Sequence, residues 1–88
     1  MSRLVLLTSP ECHLCDHARA VLDALVLERQ IDWCEVQADT PEGRRLASTV
    51  PPLRPVLLAP DGNVLAYGRL SAKRLRRTLD AAQANSAA

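Results

Sequence analysis

The chain has 88 residues, below the roughly 100 to 200 residues typical of a domain, so it holds one compact unit and no second folded one. Eleven Lys and Arg against ten Asp and Glu leave a net charge of +1, too balanced to announce a nucleic-acid or membrane surface, and the only aromatics, Trp33 and Tyr67, lie too far apart to stack bases. With 48% hydrophobic residues the chain can fill a core. Arg3-Leu4-Val5-Leu6-Leu7-Thr8 is a continuous apolar run, the pattern of a strand buried on both faces. Ser9-Pro10-Glu11 breaks it. From Leu14, apolar residues recur at Ala18, Val21, Leu22 and Leu25, predicting an amphipathic helix to about Arg29. Ile31 to Ala38 carries strand formers interrupted by Asp32 and Glu35, which predicts a half-exposed edge strand. Asp39-Thr40-Pro41 supplies a helix cap followed by proline at the first helical position, and the short helix reaches about Ala47. Pro51, Pro52 and Pro55 prevent further helix. Val56 to Ala59 and Val64 to Tyr67 are two strands joined by the turn Pro60-Asp61-Gly62-Asn63. Ser71 caps a last helix of about twelve residues that turns Ala72, Leu75, Leu79 and Ala82 inward; residues 84–88 read as a flexible C-terminal tail to a single domain over 1–83.

The predicted order is β-α-β-α-β-β-α, an α/β architecture. A strand–helix–strand connection implies parallel pairing and the Asp61-Gly62 turn implies antiparallel pairing, so the sheet is mixed and four-stranded. The two continuous apolar strands belong at its centre, the other two at its edges, with helices on both faces. Charge is split along the chain. Residues 1–43 hold three Arg and eight acids, net −5, whereas residues 44–88 hold eight basic groups and two acids, net +6, so the halves are expected to neutralise one another. The basic run Lys73-Arg74-Arg76-Arg77 reads as the wet face of the last helix. The apolar run Leu4 to Leu7 is too short for a signal-peptide core or a membrane span, which points to a cytoplasmic protein.

In that compartment thiols are held reduced, so three cysteines are poor candidates for structural staples. Cys12 and Cys15 form Cys12-His13-Leu14-Cys15 at the start of the first helix. Free N–H groups and the positive end of the helix dipole favour an anion there, and such positions lower a cysteine pKa from about 8.5 to roughly 3.5–7.5. Cys12 is the candidate nucleophile. Cys15, one turn on, is within reach of a disulfide and lies beside the apolar stripe, so it is the candidate resolving and more buried thiol. Two other readings stay open: thiols that merely fill a core, and a zinc site drawing on Cys12, His13, Cys15 and His17. Neighbouring Cys12 and His13 do not turn easily to one tetrahedral centre, and no second ligand pair with finger spacing follows. Asp16, where haem attachment needs histidine, closes that option.

Ser9-Pro10-Glu11-Cys12-His13-Leu14-Cys15-Asp16, Arg54-Pro55-Val56-Leu57-Leu58, the Asp61-Gly62 hairpin and the last helix together resemble the thioredoxin superfamily, and more closely the small bacterial glutaredoxin-like proteins. The resemblance implies the thioredoxin-like fold and thiol–disulfide oxidoreductase activity through the Cys12/Cys15 dithiol. It also implies a cis Pro55 packed beside Cys12 and an Arg54 backbone that pairs with extended substrate. Substrates would be protein disulfides or glutathione mixed disulfides, with glutathione open as co-substrate. No metal or organic cofactor, nucleic acid or membrane is implied, and the protein would be a monomer. Glutaredoxins usually carry proline and tyrosine between the cysteines, so His13 and Leu14 leave the reduction potential unassigned. Their paired glycines and following acid are reduced here to Gly68-Arg69-Leu70-Ser71. Within the substrate site, His13 is a candidate cation beside the Cys12 thiolate and Arg54 a candidate to steer substrates. His17, Trp33 and Cys34 read as surface, packing and small apolar filler. The competing function is a non-catalytic module that holds a partner peptide around Pro55.

Overall fold

A computed structural model describes residues 3–29 and 31–87, with side chains described as far as residue 81. Strands β1 (Arg3–Thr8), β2 (Asp32–Gln37), β3 (Val56–Leu58) and β4 (Val64–Tyr67) and helices α1 (His13–Arg29), α2 (Pro41–Ala47) and α3 (Ala72–Ala87) follow one another as β-α-β-α-β-β-α. The sheet order is β2-β1-β3-β4. The two continuous apolar strands are thus central and the two mixed ones peripheral, as burial on both faces requires. β1 pairs in parallel with β2, from Arg3 opposite Asp32 to Thr8 opposite Gln37. It pairs antiparallel with β3, Val5 opposite Leu58 and Leu7 opposite Val56. β3 and β4 form the expected hairpin, with a register shift between Leu57 and Leu58 that leaves Leu65 as an extra residue on β4. Its turn places Gly62 at φ 93°, a backbone region that strains any side chain, and closes through the Gly62 N–H to the Ala59 carbonyl at 2.9 Å.

Side-chain alternation along β1 explains the layers. Leu4 and Leu6 point to one face, where Ala18, Leu22 and Leu25 of α1, Leu75 and Leu79 of α3, and Leu57 and Leu70 complete a core. Leu7, with Val56 and Leu58, points to the other face, where Val36, Leu46 and Val50 cover it beside α2. The thioredoxin-like architecture is therefore present, with helices on both faces of a mixed sheet. Trp33 is half-buried against the first of these cores. Cys34 is half-buried in β2 and outside any disulfide.

Three features depart from the sequence reading. Leu14, expected on the apolar stripe, is exposed, because the buried stripe runs through Cys15, Ala18, Leu22 and Leu25 and Leu14 stands a step of about 100° away. The last helix continues to Ala87, through residues read as tail; Ala81, Ala82, Gln83 and Ala84 are good helix formers, and neither Gly nor Pro follows to stop it. Residue 88 and the packing expected of Ala82 lie outside what the structure describes. Charge neutralisation between the halves is partial. Glu28 meets Arg76 at 2.9 Å, and Arg29 meets Asp80 in the opposite sense, both tying α1 to α3, whereas Arg3–Asp32 and Arg19–Glu35 close within the first half. Among the described residues, no helix is long and apolar enough to cross a membrane.

Candidate functional site

β1 ends at Thr8, and the chain turns through Ser9, Pro10 and Glu11 into α1. Glu11 adopts φ 55°, a left-handed conformation costing a non-glycine residue roughly 1–2 kcal/mol. That reversal sets Cys12 at the helix entrance, with its carbonyl accepting from the amides of Cys15 (3.2 Å) and Asp16 (3.3 Å). The Cys12 sulfur does what a serine or aspartate oxygen does at a helix cap: the Cys15 amide donates to it at 3.1 Å. The two sulfurs stand at disulfide-bonding distance with Cα atoms 5.2 Å apart. Cys12 is half-buried and Cys15 fully buried on the stripe facing the sheet. The first cysteine is thus open to solvent and the second is not. His13 opens α1 and is exposed. His17 is also exposed, and its Nε2 lies 3.1 Å from the Leu70 carbonyl, linking α1 to the segment before α3. Among the described residues, no three His, Cys, Asp or Glu side chains converge as a metal-binding group.

Because Val56 pairs with Leu7, Pro55 falls at the end of the sheet where β1 delivers the chain to Cys12. Pro55 is fully buried and the Arg54–Pro55 bond is cis. The Pro55 carbonyl accepts from the Gly68 amide at 2.8 Å, which joins this loop to the end of β4. Among the described residues the Arg54 N–H and carbonyl have no backbone hydrogen-bond partner. The Arg54 guanidinium is turned back on its own loop, with Nη1 donating to the carbonyls of Leu53 (2.7 Å) and Pro51 (3.2 Å). The structure thus gathers Cys12, Cys15 and the Pro55 loop at one end of the sheet and uses the Arg54 side chain to hold that loop's shape.

A polar cluster beside this end is absent from the sequence reading. Glu35 of β2 accepts from Arg19 of α1 through Nε and Nη2, both at 2.7 Å, and from the hydroxyl of fully buried Thr8 at 2.7 Å. Arg19 also donates to Asp16 at 2.5 Å, balancing a carboxylate in the helix turn that carries the cysteines. The cluster pins the first turns of α1 to the sheet. The detectable signal was Glu35 two residues from Trp33, on the face of an edge strand that a helix covers; a carboxylate there needs a cation. The Arg19 guanidinium, then the Thr8 hydroxyl, hold the Glu35 carboxyl below the usual range against the opposing effect of burial. A carboxyl whose folded pKa is depressed adds stability above its unfolded value, about 4.3, and loses it as pH falls through the folded value. Glu35→Gln is therefore expected to lower stability by about 1–3 kcal/mol at pH 7 and to flatten the acid side of the stability profile, read by urea unfolding from pH 7 to 3.

The family model described as "Glutaredoxin-like domain (DUF836)" matches residues 3–80, from β1 into α3. No curated protein matches the sequence. A solved structure titled "Structure of a malarial protein" is similar in fold, with a TM-score of 0.64 at 19% identity, covering 89% of this chain and 92% of that one. A match over nearly the whole chain, on a mixed sheet whose first helix opens with a cysteine pair, settles the family: the chain belongs to the glutaredoxin-like branch of the thioredoxin superfamily.

Proposed function

We propose that the protein is a thiol–disulfide oxidoreductase working through Cys12 and Cys15. The observation that carries this reading is the Cys15 amide aimed at the Cys12 sulfur, at a helix start whose dipole favours the thiolate. In the reduced protein the Cys12 thiolate attacks one sulfur of a substrate disulfide; a Cys12–substrate bond forms, and the other substrate sulfur leaves as a thiolate that takes a proton from water. Cys15 then attacks the Cys12 sulfur, and its proton passes to the departing substrate sulfur. This closes the Cys12–Cys15 bond and frees the second substrate thiol. Two electrons pass from the dithiol to the substrate, and two molecules of a small thiol such as glutathione, leaving as their own disulfide, restore the dithiol. The Arg54 backbone, on the Pro55 loop, would align an extended substrate, and His13 stands on the exposed side of the helix entrance. The reaction suits a reducing compartment such as the cytoplasm and requires no metal or organic cofactor. The test is reduction of insulin or a small aromatic disulfide by the pure protein with a thiol reductant. Catalysis above the reductant alone is expected, and its absence leaves the fold as a module that binds a peptide around Pro55.

A further inference from the structure

Building on the exchange reading, we infer that the preferred substrates are polypeptide disulfides whose cysteine lies within a few residues of acidic side chains, seated as an extended segment in the groove between β4 and α3. Three observations meet there. First, β4 has one neighbour, β3, so its outer edge offers unpaired backbone N–H and C=O groups to an added strand. Second, an open groove of about 320 Å³ follows this edge, with Leu65 and Ala66 on the strand side and Leu70 and Leu75 below, rimmed by Arg69 and Arg74. Both arginines are exposed, and among the described residues neither belongs to an ion pair, whereas Arg3, Arg19, Arg29 and Arg76 each do. Third, the groove leads to the dithiol end of the sheet. Tyr67, on its wall, pairs with Val56, and the next amide, Gly68, binds the Pro55 carbonyl at 2.8 Å.

Charge selects the occupant. A second copy docking edge to edge through the same surface would bring Arg69 and Arg74 against their own counterparts, whereas an acidic segment gives each guanidinium a carboxylate. The spacing sets where the acids belong. β4 lies two strands from β1, about 10 Å across the sheet, which an extended chain spans in about three residues. Acids at about the third to fifth position from the substrate cysteine would therefore reach the arginines while its sulfur faces Cys12.

The test is single turnover at low salt: the reduced protein, freed of reductant, is mixed with excess of two synthetic peptide disulfides that carry Asp and Glu, or Lys, at those positions, or with a small neutral aromatic disulfide. The acidic peptide is expected to react about tenfold faster than the basic one, and the difference is expected to shrink in 0.5 M salt. Arg69→Gln/Arg74→Gln should slow the acidic peptide about three- to tenfold and leave the aromatic disulfide unchanged. Arg44→Gln/Arg45→Gln, the same charge change on α2 across the sheet, should leave both rates unchanged. Equal rates for the two peptides, or an equal loss in both double variants, would overturn the groove while the exchange reading stands. No reaction with the aromatic disulfide would overturn the exchange reading and this inference with it.

Discussion

Cys12→Ser is expected to abolish disulfide reduction, whereas Cys15→Ser is expected to retain the attack and lose the release, so that substrate accumulates as a stable mixed disulfide on Cys12. The asymmetry follows from burial and from the helix entrance. Cys12 is half-buried with an amide aimed at its sulfur, and Cys15 is fully enclosed on the inner stripe of α1. A serine hydroxyl is not ionised at neutral pH, so the first variant loses its nucleophile. The second keeps it but lacks the sulfur that would displace the bound substrate. Intact-mass analysis after mixing each variant with an aromatic disulfide reads the outcome directly. A Cys12→Ser protein that still turns over, or a Cys15→Ser protein that gathers no adduct, would contradict the assigned roles.

Gly43→Ala is expected to be the most damaging single-methyl change in the fold. In a helix interior, alanine normally stabilises by about 1 kcal/mol relative to glycine, so propensity alone predicts a gain. The packing predicts the reverse. A Cβ at Gly43 would stand 1.8 Å from the Gln37 carbonyl oxygen, 2.6 Å from its carbon and 2.8 Å from the Ala38 Cα, all backbone atoms at the end of β2. Those atoms are fixed in turn: Thr40 donates to the Gln37 carbonyl at 2.7 Å and caps α2 by accepting from the Gly43 amide at 3.0 Å, and the Ala38 amide donates to Thr8 at 2.7 Å. Relief requires α2 to lift from the sheet, so a net loss of about 3 kcal/mol is expected, out of a total of about 4–13 kcal/mol for a domain of this length. Urea unfolding measures it, and a variant as stable as the parent would show that α2 sits further from β2.

The fold was legible because its patterns were local. Continuous apolar runs marked Arg3–Thr8 and Val56–Leu58 as central, mixed ones marked the edges, and Thr40-Pro41 and Asp61-Gly62 marked a cap and a turn. Spacing alone placed Cys12 and Cys15 at a helix start. What remained hidden depends on contacts between distant parts of the chain or on backbone angles. Glu35 looked like an interruption in a strand because its partners, Thr8 and Arg19, are 27 and 16 residues away. Arg54 was read by its position beside Pro55, whereas its guanidinium satisfies carbonyls one and three residues back. Glu11 carries no residue-type signal for its positive φ, and Gly43 carries none for the strand end packed beneath it. Leu14 stands one position off the buried stripe, enough to turn it from the core to solvent.

The central claim, a redox-active Cys12–Cys15 pair, is tested most directly by equilibrating the protein in glutathione buffers of graded ratio, quenching with acid and a thiol alkylator, and counting alkylated cysteines by mass. One two-electron transition is expected, in which Cys12 and Cys15 change together and Cys34 does not, with a midpoint that places the protein relative to about −270 mV for thioredoxin and about −200 to −230 mV for glutaredoxins. Cys12 and Cys15 remaining independently alkylatable at every ratio, with no intramolecular disulfide, would contradict it.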